Sequence, residues 1–326
     1  MMYQPPDINL WTGRLDSEEG NAGIRWHQHI QLLDMHNMDM PKEGAVIIGF
    51  CSDEGVSRNK GRIGAKKGPQ HIRRSLAGLA WHKNDLALFD AGDILCQDQN
   101  LEVAQSALTE RLTRLLDSAL FPIVLGGGHE IALASGNAVY LCANKRKAVT
   151  GIINFDAHFD LRRPSPLGSS GTPFYQLNQT CLTKNQDFHY LCMGVAETAN
   201  TQALFQRADK LGVKWVMDSD IHWANLSANL ATIDAFMALC DVIYLTIDLD
   251  VLPAATMPGV SAPAARGVQL DILEQLITRV IANHRQGIAQ IMLADIAECN
   301  PLFDIDNRSG KVAARLINQL LAVAVT

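Results

Sequence analysis

From residue 45 onward, eight short apolar, β-branched runs recur along the chain, each followed by a stretch long enough to return as a helix. "AVIIGF" begins at Ala45, "LALFDAG" at Leu86, "FPIVLGG" at Phe121 and "TGIINFD" at Thr150. "FHYLCMG" follows at Phe188, "VKWVMD" at Val213, "VIYLTID" at Val242 and "QIMLADI" at Gln290. Runs that stay apolar at consecutive positions must be covered on both faces, as parallel strands between helical layers are. Between them lie segments such as "EVAQSALTERLTRLLDSAL" after Leu101, with apolar residues three and four apart on one side. The alternation predicts an α/β fold with a parallel sheet. A closed barrel and an open doubly wound sheet both satisfy it, and both put the ligand site beyond the carboxyl ends of the strands.

No Gly/Ser-rich or Pro-rich linker divides the chain, so residues 44–326 read as a single domain, and the polar, irregular residues 1–43 as an arm or lead-in. Of the 326 residues, 48% are hydrophobic and 19% charged, enough apolar material for a large core. A net charge of −6 gives no electrostatic reason to expect nucleic acid or an anionic membrane as partner. Seven scattered cysteines without a C-x-x-C pair suggest buried thiols, not a disulfide framework or a zinc knuckle. The first residues lack a basic-then-apolar leader and no apolar run reaches about 18 residues, so a cytoplasmic location is the expectation.

Four polar clusters stand just after four of the apolar runs. "LGGGHE" carries His129, "DAHFD" carries Asp156, His158 and Asp160, "DLD" carries Asp248 and Asp250, and "AECNP" carries Glu298. If the chain stays extended, alternate positions of "DAHFD" share one face. Singly the signals are modest: Asp248 and Asp250 suit helix caps, and Gly126 to Gly128 lack the pattern of a nucleotide loop. As a set, Asp156, Asp160, Asp248 and Asp250 bring four negative charges and His129 and His158 two neutral nitrogens. Two divalent cations would cancel that charge; without them, packed carboxylates would raise one another's pKa. Oxygen and imidazole donors without thiolate suit manganese, with iron, cobalt and zinc left open. A metal pair about 3.5–4 Å apart activates water, which points to metal-assisted hydrolysis.

These motifs resemble those of the arginase and agmatinase (ureohydrolase) family. "GGGHE" is similar to its Gly-Gly-Asp-His-Ser, "DAHFD" to its Asp-Ala-His-x-Asp and "DLD" to its Asp-x-Asp, the likeness running from about Ala45 to the end. The resemblance implies a three-layer αβα sandwich on an eight-stranded parallel sheet. In that fold the four motif-bearing strands lie side by side at the centre. It implies two Mn2+ ions, one held by His129, Asp156, Asp160 and Asp248, the other by Asp156, His158, Asp248 and Asp250. Asp160 would also hydrogen-bond the activated water, and Glu298 would hold the amidine or guanidine group. Family members commonly form trimers or hexamers, so a homo-oligomer is implied too.

Departures from the family pattern choose a subgroup. Pro253 stands where the third Asp of Asp-x-Asp-x-x-Asp-Pro would be, and Ser170 where agmatinases carry a His before Gly-Thr-Pro-Phe. With "GVSRNKGRIGAKKGPQHIR", "WTGR" and "RWHQ", these features resemble the subgroup that hydrolyses N-formimidoyl-L-glutamate to L-glutamate and formamide in histidine degradation. An amidine dicarboxylate needs basic receivers. Arg162 is the first candidate, since arginases place a carboxylate-binding Asn there and a guanidinium fork matches carboxylate. Ser170 and Thr172 are weaker polar candidates, and the seven basic residues from Arg58 to Arg74 read mostly as a solvated face. The rival readings are a guanidino-acid or agmatinase-like hydrolase releasing urea, and a catalytically silent metal-binding member.

Overall fold

The computed structural model describes residues 2–36, 40–83 and 85–325. Its strands are β1 (Tyr3–Gln4), β2 (Gln31–Leu32), β3 (Ala45–Cys51), β4 (Leu88–Leu95), β5 (Phe121–Leu125), β6 (Thr150–Phe155), β7 (His189–Val195), β8 (Lys214–Met217), β9 (Val242–Asp248) and β10 (Gln290–Ala297). The helices are α1 (Trp26–His29), α2 (Glu54–Arg58), α3 (Gly68–Ala77), α4 (Leu101–Asp117), α5 (Ile131–Lys145), α6 (Pro173–Thr183), α7 (Gln202–Lys210), α8 (Leu226–Met237), α9 (Leu270–Arg285) and α10 (Arg308–Leu320). All eight apolar runs are strands. They form one sheet in the order β4-β3-β5-β10-β9-β6-β7-β8, every pair parallel.

The expected eight-stranded, wholly parallel sheet needs one correction: among the described residues the sheet has ten strands. β1 pairs antiparallel with β4 and β2 pairs parallel with it. β4 would otherwise expose a row of unpaired backbone groups at the sheet edge, and the N-terminal residues cover it. Strands of two residues leave no periodicity to read, and Pro5 and Pro6 stop β1 where it stands.

Side chains of each strand alternate between two apolar layers. Ile153, Phe155, Ile243, Leu245 and Ile247 pack with α3, α8, α9 and α10, while Ile152, Val242 and Tyr244 face α4 to α7. Each fully buried aliphatic side chain stabilises the fold by about 1.5–3 kcal/mol, so the paired layers supply the main drive to fold. No described helix is long and apolar enough to cross a membrane, and the seven cysteines are free, five of them buried.

One polar knot lies inside this core. Arg73, 1% exposed, donates to Asp90 through Nε and Nη2 (both 2.9 Å) and to Asp93 Oδ1 through Nη1 (2.6 Å). The indole of Trp11 donates to Asp90 Oδ2 at 2.7 Å, tying the N-terminal segment to β4. Gly49 is required beside it, because a Cβ there would lie 1.8 Å from Asp93 Oδ1.

Candidate metal centre

β5, β10, β9 and β6 are neighbours at the middle of the sheet, so the loops leaving their carboxyl ends meet above it. The β5 loop passes so close to the end of β3 that a Cβ on Gly127 would sit 1.7 Å from the Ser52 carbonyl oxygen. Gly127 N donates to Phe50 O and Gly128 N to Ser52 O, delivering His129 over the sheet. Glu130 fixes the far side, its Oε1 accepting from Ser52 Oγ (2.8 Å) and Gly55 N (3.0 Å).

"DAHFD" is not extended throughout. β6 ends at Phe155, the chain turns with His158 N donating to Asp156 Oδ1 (2.6 Å), and Asp160 takes a left-handed backbone at φ 48°. Asn200 clamps this turn, accepting from Phe159 N and donating to the Ala157 carbonyl. The three ligand-type residues therefore converge through a turn and not through strand alternation. Asp248 ends β9 and its Oδ1 accepts from Asp250 N (2.8 Å), orienting both acids. Glu298 follows β10 with φ 67°, a second strained position in the same cluster.

The six side chains meet. His129 Nδ1 lies 3.1 Å from Asp156 Oδ2, 3.0 Å from Asp160 Oδ2 and 3.1 Å from Asp248 Oδ2. Despite that closeness the nitrogen is buried without a hydrogen-bond partner among the described residues, aimed at a space framed by three carboxylate oxygens. His158 Nδ1 lies 3.1 Å from Asp250 Oδ2 and 3.5 Å from Asp156 Oδ1. His129, Asp156, Asp160 and Asp248 offer donor atoms within 4.8 Å of one another, and so do Asp156, His158 and Asp250. Asp156 belongs to both groups; the second group does not include Asp248.

The electrostatics are those of an anionic pocket needing countercharge. Burial opposes ionisation of His129, yet its contacts with Asp156, Asp160 and Asp248 hold its pKa well above the usual value. Burial pushes Asp248 up, reinforced by the charges of Asp250 and Asp156, and pushes Asp160 up, reinforced by Asp156. Glu298 is raised by burial and then by Asp248, Glu130 and Asp250. Its Oε1 accepts from His129 N (3.0 Å), leaving Oε2 unpaired among the described residues. Buried carboxylates that repel one another, with oxygens and one imidazole nitrogen left over, fit a pair of hard divalent cations.

A cavity of about 390 Å³ opens over the cluster, lined by His129, His158, Asp160, Asp248, Asp250 and Glu298, with Arg162, Ser170, Lys60 and Arg62 among its walls. Arg162 has no described protein partner for its guanidinium, and its stem packs on Gly171 beside Asn59. Ser170 accepts from Asn59 Nδ2 at 3.2 Å. Thr172 departs from its expected place: it does not line this cavity, but stands at the amino end of α6 with its hydroxyl accepting from Ser169 N (2.8 Å). In the basic stretch, Arg58 pairs with Glu54 and Glu102, and Arg62 donates to the Ser261 and Val260 carbonyls. Asn200 and Lys60 line the cavity and carried no sequence signal stronger than those of ordinary polar residues.

An open αβα sandwich whose central strand ends gather two such ligand groups defines a class of metal-dependent hydrolases. The pattern of the Arginase family matches residues 43–322, and the chain belongs to that family. A formimidoylglutamase of Aeromonas hydrophila is 50% identical over 319 residues, covering 98% of this chain and 99% of the relative. One from Aeromonas salmonicida is 51% identical over 315 residues, covering 96% and 97%. The crystal structure of Trypanosoma cruzi formiminoglutamase with Mn2+ matches with a TM-score of 0.76 at 29% identity, over 89% of this chain and 96% of that one.

Proposed function

We propose that this chain is a formimidoylglutamase, a cytoplasmic enzyme that hydrolyses N-formimidoyl-L-glutamate to L-glutamate and formamide with two divalent cations, manganese first among them. The observation that carries the reading is the convergence of three carboxylates on the unpaired Nδ1 of His129, with His158 and Asp250 completing a second group beside it. Near full-length identity of about half to proteins of that name supports the substrate. His129, Asp156, Asp160 and Asp248 would hold one cation, and Asp156, His158 and Asp250, with Asp248 between the groups, the other. Cations so held supply Lewis acidity that makes a water nucleophilic near neutral pH.

The chain's own groups do the rest. The unpaired Oε2 of Glu298 accepts a hydrogen bond from an amidinium N–H, and the positive charge beside it restores Glu298 to its ionised state. Asp160 has 12% side-chain exposure against 4% or less for the other three acids, which opens it to the cavity. Its carboxylate accepts the hydrogen of the attacking water and passes a proton to the departing glutamate nitrogen. Arg162, at the cavity wall without a described partner, receives a substrate carboxylate.

Product analysis tests the reading: the manganese-loaded chain should release formamide and glutamate from N-formimidoyl-L-glutamate and no urea from guanidino acids. Urea release with no formamide would overturn it. Arg162→Ala should raise KM about ten- to a hundredfold, as loss of a charged hydrogen-bond pair does. Metal content and kcat should change little. Parallel loss of metal would remove Arg162 from the substrate site.

A further inference from the structure

Two residues before two of the acids at the central strand ends stands another buried polar side chain: Asn154 before Asp156 and Thr246 before Asp248. Alternation places each on the same face as the acid that follows it. In register, Thr246 lies between Asn154 of β6 and Asp295 of β10, so the three form one row across the sheet beneath the metal cluster. All three are 0% exposed. A polar row inside an apolar core is costly unless its groups are used.

The contacts show the use. Asn154 Nδ2 donates to Asp156 Oδ2 at 2.9 Å. Thr246 Oγ1 lies 3.0 Å from His129 Nε2. Asp295 Oδ2 accepts from the Tyr244 hydroxyl at 2.6 Å, while its Oδ1 has no hydrogen-bond partner among the described residues.

We infer that Thr246 is a positioning residue for His129: its hydroxyl oxygen accepts the Nε2 hydrogen, and Nδ1 is thereby presented bare to the three carboxylates. The inference rests on the reading of His129 as a metal ligand. A neutral imidazole carries one N–H, and the nitrogen that binds metal must be the other. The threonine hydroxyl can accept from Nε2 or donate to it; Nδ1, framed by three carboxylate oxygens, is the cation-facing nitrogen, so the hydrogen stands on Nε2 and the hydroxyl accepts it. The edge of Phe174, its ring 5.4 Å from that of His129, holds the imidazole plane while this happens.

The test is titration of the metal-free full chain with Mn2+, reading the affinity of each site, alongside the melting temperature of the metal-free protein. Thr246→Val should weaken one of two Mn2+ sites by about ten- to a hundredfold and leave the other within a few fold, the usual effect of losing a partner behind a ligand. Thr246→Ser, which keeps the hydroxyl, should stay within a few fold of wild type at both. Should the valine variant fold poorly, Thr246→Ala, which also lacks the hydroxyl, is read in its place. Wild-type affinities at both sites in the variant without the hydroxyl would overturn the inference while leaving the metal reading intact. A wild-type chain that takes up no Mn2+ would overturn both.

Discussion

Asp248→Asn is expected to lower kcat/KM for N-formimidoyl-L-glutamate by about 10³-fold or more, a barrier increase of about 4 kcal/mol at 1.36 kcal/mol per decade. The substitution is nearly isosteric. Asn retains an oxygen to accept from Asp250 N, the bond that now runs to Asp248 Oδ1 at 2.8 Å. It removes the charge that sits 3.1 Å from His129 Nδ1 and faces both Asp250 and Asp156. The stability of the metal-free protein should move the other way. A carboxyl whose pKa is raised on folding disfavours the folded state above that raised value, so at pH 8 its removal relieves a cost. The metal-free variant should therefore melt at or above the wild-type temperature, while the rise in melting temperature on adding Mn2+ shrinks. Thermal melts with and without a chelator check both signs. A variant that is less stable without metal and gains as much from Mn2+ as wild type would show that Asp248 is a structural acid.

The second large effect belongs to the fold. Arg73→Ala should cost about 3–5 kcal/mol, because it strands Asp90 and Asp93 as buried charges without their counterion. Urea unfolding of the metal-free protein measures it. Trp11, whose indole is anchored on Asp90, should report the loss as a fluorescence change before global unfolding. A loss under 1 kcal/mol would mean that the two acids find other partners or solvent.

Much of the architecture was legible because burial on both faces leaves a simple mark. Consecutive apolar residues such as Ile152 and Ile153 enter opposite layers, and the eight runs are the eight long strands. The clustering of His129, Asp156, His158, Asp160, Asp248 and Asp250 was legible for a related reason: ionisable residues directly after such runs have to lie at strand ends. What could not be read was geometry made by single backbone angles or by distant pairs. The turn at Asp160 depends on a left-handed φ, and Asn200 fixes it from some forty residues away. Arg73 looked like one more solvated base among seven, since nothing near it in sequence announces Asp90 and Asp93. Thr246 sits inside an apolar run, where a single polar residue reads as an interruption and not as a support. The two-residue strands at the sheet edge are below the length that any periodicity resolves.

The central claim is that six side chains surround a pair of divalent cations, and anomalous diffraction at the manganese edge from crystals grown with Mn2+ tests it most directly. The account predicts two anomalous peaks beneath the cavity, one next to His129 Nδ1 and the other next to His158 Nδ1, with Asp156 touching both. Crystals grown with excess Mn2+ that show no peak there, or one peak contacted by neither histidine, would contradict it.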